Sequence, residues 1–375
     1  MKRLLLIVLV AAMFVLAGCV DGISTEDDGT TVETDDDLED ADSNGNEDDT
    51  TADEDETDPE ATNEPEADDS DPDNSPDVDG ELEIHHIDVG QADATLLIEP
   101  SGETMLIDSG DWRQGGADVI EYLEDQNVDR IDHLVATHGH ADHIGGHDTI
   151  IEYYETERDG IGAAYDSGVA TTSQTYERYL DAIEAHDVEL FVVEEGDRLE
   201  FGEVNVDVLN PPAGDSGSDV DYNSVTLTIE YGAFSYLTSG DVGSGAEQRM
   251  ADDYRDELHV DAYQAGHHGS STSSTTPFMD QVTPDVAIIS SAYDSQYGHP
   301  HDEVLEDYAD RGIEMYWTGV HGDIVLTTDG QHYELETEHE FSTDAADLLD
   351  EKPADDETQA SLTRPIDVAT APLAG

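Results

Sequence analysis

Residues 137–146 read Thr-His-Gly-His-Ala-Asp-His-Ile-Gly-Gly. Four metal-competent groups, His138, His140, Asp142 and His143, crowd into this short loop, which glycine allows to fold tightly. Alternate side chains of an extended segment project the same way, so His138 and His140 can share one cation. Asp142 and His143 are then turned towards a second position beside it. Imidazole combined with carboxylate suits zinc, manganese or iron better than calcium. Further candidates follow in the adjacent pair His267-His268, in Asp241 and in His299. Such groups support hydrolysis, because two cations about 3.5–4 Å apart activate a water and stabilise the entering and leaving oxygens of an ester. The sequence has no Gly-rich dinucleotide segment, no Walker-type Gly-Lys segment and no GxSxG elbow. Its single cysteine, Cys19, excludes an intrachain disulfide framework and a thiolate zinc finger.

The elements that must position these groups are legible as short apolar runs. Leu82–Ile87, Ala94–Ile98 and Thr104–Ile107 read as strands, Ala117–Gln126 as a helix, and Ile131–Ala136 as a buried strand running straight into the His-rich loop. Thr175–Ala185 has helical spacing at Tyr176, Tyr179, Leu180 and Ile183. Val204–Leu209, Val225–Tyr231 and Phe234–Thr238 read as strands, the last ending just before Asp241. His259–Gln264 and Val286–Ser290 follow, then a helix over Asp302–Ala309 and strands near Ile313–Trp317 and Ile324–Leu326. A strand meander followed by strand–helix alternation predicts an α/β (α+β) unit, a sheet sandwich flanked by helices and forming one domain over 81–341.

The loop 138–143 matches the HxHxDH signature of the metallo-β-lactamase superfamily, and the chain resembles the hydrolase domain of ComEC-type competence proteins in that superfamily. Ile87-Asp88-Val89-Gly90-Gln91-Ala92-Asp93-Ala94 is similar to the segment that opens that domain, and Leu106-Ile107-Asp108-Ser109-Gly110 to the superfamily's first motif. Thr238-Ser239-Gly240-Asp241 resembles its TGD motif, while Gly266-His267-His268-Gly269-Ser270 and Tyr297-Gly298-His299-Pro300 resemble ComEC-type segments. The resemblance implies an αββα sandwich binding two divalent ions, zinc or manganese. It implies that His138 and His140 hold one ion, that Asp142, His143 and His267 hold the other, and that Asp241 bridges them. Asp108 supports the loop from behind. His268 and His267 compete for one ligand role, and His268 or His299 is left to protonate a leaving oxygen. The superfamily's further ligand His has no counterpart in Asp219-Val220-Asp221-Tyr222-Asn223-Ser224, so Asn223, Asp221 or a water completes the first ion. The backbone at Gly269-Ser270-Ser271 is read as a phosphate cradle. His85, His86, His133, His147 and His186 fit no motif and are read as packing or surface. The multi-helix channel of ComEC proteins has no counterpart here, so the resemblance implies hydrolysis of DNA or nucleotides rather than conduction of DNA.

The chain carries 12 basic and 94 acidic side chains over 375 residues, a formal charge of −82. Lys2-Arg3 followed by the apolar run Leu4–Leu16 and by Leu16-Ala17-Gly18-Cys19 resembles a lipoprotein signal, residues 1–19, with Cys19 lipidated. Residues 20–80 are read as a disordered acidic tether, with 28 Asp or Glu and no basic or aromatic residue between 21 and 80. Residues 342–375 are read as a second loose tail. These features predict a protein held outside the cell by lipid alone, and nothing in the sequence calls for a protein partner. No basic stripe for nucleic acid is visible. Residues 81–375 keep 66 acidic against ten basic side chains, so the domain itself suits concentrated salt. Screening reaches about 10 Å at 0.1 M salt and about 3 Å at 1 M. Circular dichroism across that range is therefore expected to show loss of structure at the dilute end, and equal stability at both ends contradicts this reading.

Overall fold

The computed structural model describes residues 78–353. Cys19, the signal segment, nearly all of the acidic tether and the end of the tail lie outside the described residues. In chain order the strands are β1 (Leu82–His86), β2 (Thr95–Ile98), β3 (Thr104–Ile107), β4 (Ile131–Val135), β5 (Ile161–Asp166), β6 (Leu190–Val192), β7 (Arg198–Phe201), β8 (Val204–Asn210), β9 (Thr226–Tyr231), β10 (Phe234–Thr238), β11 (Ala262–Gln264), β12 (Val286–Ile289), β13 (Glu314–Trp317), β14 (Ile324–Thr328) and β15 (Tyr333–Thr337). The helices are α1 (Ala117–Asp125), α2 (His147–Glu157), α3 (Gln174–His186), α4 (Ser244–Asp253), α5 (Thr276–Val282), α6 (Asp302–Arg311), α7 (Thr318–His321) and α8 (Ala345–Glu351).

Two sheets result, ordered β15-β14-β1-β2-β3-β4-β5-β6 and β13-β12-β11-β10-β9-β8-β7. Successive side chains of a strand face opposite ways, and here both directions are apolar. Leu97, Met105 and Val135 of the first sheet meet Phe201, Ile229, Tyr236 and Val286 of the second in the central layer. Their neighbours Leu96, Leu106 and Leu134 turn outward onto α1, α2 and α3, through Leu123, Ile150, Tyr154, Tyr179 and Ile183. Leu237, Ala287 and Ile289 turn outward onto α4, α5, α6 and α8. The layers are thus helix, sheet, sheet, helix, as the sequence predicts.

Each sheet has a parallel half, β3-β4-β5-β6 in one and β10-β11-β12-β13 in the other. A parallel pair needs a crossover, and α1 to α6 supply these connections. The loops leaving the carboxyl ends of β3, β4, β10, β11 and β12 are where such sheets place their chemistry.

The chain does not loosen at 342. Met315 donates its backbone N–H to Thr343, and α8 buries Ala345 and Leu348 against the second sheet's helices. Asp344, Asp347, Asp350 and Glu351 mask an apolar stripe at i, i+3 and i+4 spacing, and Asp344 caps the helix through Ala346.

Candidate metal centre

The loop after β4 is anchored from behind. Asp108, at the end of β3 with φ of 59°, accepts hydrogen bonds from the Thr137 N–H (2.8 Å) and Thr137 hydroxyl (2.6 Å). Its Oδ2 also receives the Nδ1–H of His143 at 2.7 Å. That bond fixes the tautomer, so His143 presents Nε2 to the interior of the site. The Thr137 oxygen likewise takes the Nδ1–H of His138 (3.1 Å), leaving His138 Nε2 to face inward. Close approach needs glycine at two points. A Cβ on Gly145 would lie 2.1 Å from the Trp112 backbone nitrogen, and one on Gly240 would lie 2.9 Å from Thr137.

Asp241 is 2 % exposed and stands at the centre. Its Oδ1 lies 3.1 Å from His143 Nε2 and 4.0 Å from His268 Nε2. Its Oδ2 lies 3.8 Å from His138 Nε2 and 3.5 Å from His267 Nε2. Each oxygen therefore faces a different set of ligands. On the first side, His138 Nε2 and His140 Nδ1 approach to 3.0 Å, and Asp221 Oδ1 reaches His140 at 3.2 Å. On the second, Asp142 Oδ2 lies 3.5 Å from His268 Nε2.

His267 and His268 both adopt left-handed backbone angles (φ 53° and 57°), a strain of roughly 1–3 kcal/mol for each residue. The turn spreads the two rings 70° apart, so adjacent residues serve opposite sides of Asp241. His268 is the one that joins His143 and Asp142, whereas the sequence assignment gave that place to His267. The Ser290 carbonyl accepts the His268 Nδ1–H at 3.1 Å and thereby aims its Nε2 inward.

The donor set fits a cation. His143 Nε2, His268 Nε2, Asp241 Oδ1 and Asp221 Oδ1 are buried without a hydrogen-bond partner. Burying such atoms unpaired is costly, and a divalent ion would satisfy the three around Asp241 Oδ1, while Asp221 Oδ1 belongs to the other group. Among the described residues, two groups of His and Asp atoms lie close enough to share an ion, Asp93/His143/Asp241/His268 and His138/His140/Asp221. The carboxylates set the field. Burial alone would suppress charge on His143 and His268, yet Asp241 and Asp108 hold the His143 pKa well above its ordinary value. Asp93 and Asp241 raise that of His268 to about 9. Burial and the neighbouring His143 lower His138 to about 3, so its inward nitrogen keeps a free lone pair. Burial also opposes the charge on Asp241, but His143 and His268 hold its carboxyl well below the usual range.

Two expected residues take other places. Asn223 spends its amide on Asp219 and Ser216, so it braces the loop carrying Asp221 and does not reach the cluster. The expected phosphate cradle at 269–271 is overturned: the Ser270 N–H is held by the His267 carbonyl and the Ser271 N–H by His301 Nδ1. His299 stands beyond the ligands, its ring centroid 5.9 Å from that of His267 and 6.3 Å from that of His268, with Nδ1 accepting from Gln91 Nε2 at 3.3 Å. Asp93 and Gln264 went unassigned in the sequence. Asp93 Oδ2 lies 3.6 Å from His268 Nδ1 and 3.8 Å from His143 Nδ1, on the outer side of both rings. Gln264 donates to Asp93 (3.1 Å) while its oxygen accepts from Tyr236, Thr238 and Thr95. The quoted 87–94 segment held the signal for Asp93; nothing local marks a buried glutamine as its support.

A sandwich with a buried His/Asp cluster at the carboxyl ends of its parallel strands defines a metallohydrolase architecture. The chain belongs to the metallo-beta-lactamase superfamily, whose description matches residues 87–292, more than half of the chain. It is 28 % identical over 265 residues to ComE operon protein 3 of Bacillus subtilis, covering 66 % of this chain and 33 % of that protein. It is 29 % identical over 228 residues to Recombination protein 2 of Haemophilus influenzae, covering 60 % and 26 %. It therefore spans about a third or less of the length of these curated relatives. The crystal structure of CmlA, a diiron beta-hydroxylase from Streptomyces venezuelae, superposes with a TM-score of 0.44 at 17 % identity, covering 67 % of this chain and 55 % of that one.

Metal analysis in molar salt tests the centre. Asp241→Ala is expected to lose metal from both sides of the site, and Asp221→Ala only from the His138/His140 side, with circular dichroism preserved in both. His186→Ala, at the end of α3, is expected to match wild type. Full metal content in Asp241→Ala would mean that this carboxylate is not the shared ligand.

Proposed function

We propose that the protein is a metal-dependent phosphodiesterase that cleaves DNA or nucleotides with two divalent ions, zinc or manganese, at Asp241. The observation that carries this reading is the division of the Asp241 carboxylate, one oxygen towards His143 and His268, the other towards His138 and His267. Divalent cations bound at these groups supply Lewis acidity towards a phosphoryl oxygen and generate the nucleophile.

The chain's own residues do the rest. Asp108 and the Ser290 carbonyl hold the outer nitrogens of His143 and His268, so the ligand atoms do not reorganise as charge develops. His268 belongs to the ligand set, which leaves His299 as the donor to the leaving oxygen. With Nδ1 accepting from Gln91, the neutral ring carries its proton on Nε2. Relatives named for competence and recombination favour a nucleic-acid substrate over a lactam. The acidic surface repels a polyanion only over about 3 Å in molar salt, and the cations provide local positive charge.

The decisive assay offers linear DNA, bis-p-nitrophenyl phosphate and nitrocefin with Mn²⁺ or Zn²⁺ in molar salt. Cleavage of the two phosphodiesters is expected, with His299→Ala slower by roughly 10²-fold, as for a lost hydrogen-bond donor to the charge developing on the leaving oxygen. Turnover of nitrocefin alone identifies a lactamase, and metal binding without any turnover identifies a non-catalytic binding protein. The proposed site of action is outside the cell, with the chain held by lipid on Cys19. Cys19→Ser is expected to leave the membrane fraction or to resist processing. A variant that stays membrane-bound and normally processed contradicts the anchor.

A further inference from the structure

A cleft of about 340 Å³ opens beside the metal centre, at the lower end of the roughly 300–1,000 Å³ typical of small-ligand sites. Asp142 and Ala141 of the metal loop line it together with Trp112 and Tyr297. Both aromatic side chains are largely exposed, Trp112 by 51 % and Tyr297 by 58 %, whereas Trp317 is fully buried. Two exposed rings lining one cleft offer flat faces on which a planar ligand can stack.

Trp112 is also fixed in place. Its backbone N–H donates to the Ala141 carbonyl at 3.0 Å, between His140 and Asp142. The Arg113 guanidinium sits 5.1 Å from its ring centroid and is itself held by Asp111 at 3.1 Å. That pairing cancels the only positive charge among the lining residues, which leaves the negative charge of Asp142. The cleft is therefore unsuited to a phosphate and suited to a neutral planar group. Gln91, Gln114 and Gln296 offer amide edges along it, and Gln91 Oε1 is buried without a partner.

We propose that this cleft is a nucleobase subsite, which stacks an unpaired base of a single-stranded oligonucleotide against Trp112 and Tyr297 beside the phosphodiester at Asp241. The proposal rests on the phosphodiesterase reading for the identity of the neighbouring group. Every base has a face to stack, so recognition is tolerant of sequence, with the glutamines reading base edges. Duplex is disfavoured because its bases are already stacked and its phosphates need basic contacts that the cleft lacks.

Binding and cleavage are measured separately on the full chain with Mn²⁺ in molar salt. Oligothymidylate and an abasic oligomer of equal length serve as probes. The emission of Trp112, taken as the difference between wild type and Trp112→Phe, is expected to be quenched saturably by oligothymidylate and not by the abasic oligomer. In Trp112→Ala the ratio of kcat/KM for oligothymidylate to that for the abasic oligomer is expected to fall roughly 5- to 100-fold, mainly through KM, as loss of a stacked base implies. Tyr297→Ala is expected to lower the same ratio, and Trp112→Phe to recover most of it. Absence of base-dependent quenching, or wild-type cleavage of the abasic oligomer as efficient as that of oligothymidylate, overturns the subsite. Base-dependent quenching without cleavage of either probe keeps the subsite and overturns the phosphodiesterase reading.

Discussion

A carboxylate taken out of water must be surrounded by positive charge, and Asp241 meets that requirement from two directions at once. Four imidazoles approach its two oxygens, and the loops bearing them leave the ends of β4 and β11 in different sheets. The relation of the two sheets at this edge is therefore tied to the charge balance around one side chain. Outer partners keep the imidazoles aimed inward. Asp108 holds His143, the Thr137 hydroxyl holds His138, and the Ser290 carbonyl holds His268. Gln264 adds a brace at Asp93, its amide joining β11 to the 87–94 segment and its oxygen gathering hydroxyls from β2 and β10.

Strain and crowding concentrate where these loops converge. The left-handed His267-His268 turn is held by backbone bonds from the His267 N–H to the Gly240 carbonyl and from the Ser270 N–H to the His267 carbonyl. The first of these bonds ties the turn to the loop of Asp241 itself. The Ser270 N–H is thus spent on maintaining this turn, and the Ser271 N–H on His301 Nδ1.

The surface follows a different logic from the site. Most arginines of the described residues pair with neighbouring carboxylates, as Arg130 does with Asp132, Arg198 with Asp207 and Arg311 with Asp280 and Asp307. Exposed pairs of this kind contribute about 0–1 kcal/mol each, so they do little to offset the excess negative charge. Stability has to come from the apolar layers. Function has to come from the buried edge, where the local field differs from that of the surface.

The sequence by itself determined β1 to β4 and β8 to β14, which read as apolar runs, and α1, α3 and α6, but not β5, β6, β7, β15 or the helices α2, α4, α5, α7 and α8. It also determined the metal chemistry, because His138, His140, Asp142 and His143 lie on one short loop whose spacing survives folding. Asp241 was visible through its Thr-Ser-Gly-Asp context. Tertiary structure alone decided which of His267 and His268 faces Asp142, since two adjacent left-handed residues leave no local signature. It alone made Asp221 the partner of His140 while Asn223 braces the loop, a choice that depends on where 216–223 packs. The order of 342–352 was likewise hidden, because three leucine and alanine contacts are decisive only once the second sheet's helices are there to receive them. Where a ligand atom points is set by its neighbours across the fold, and those neighbours lie far away in the chain, as Gln264 lies 171 residues from Asp93.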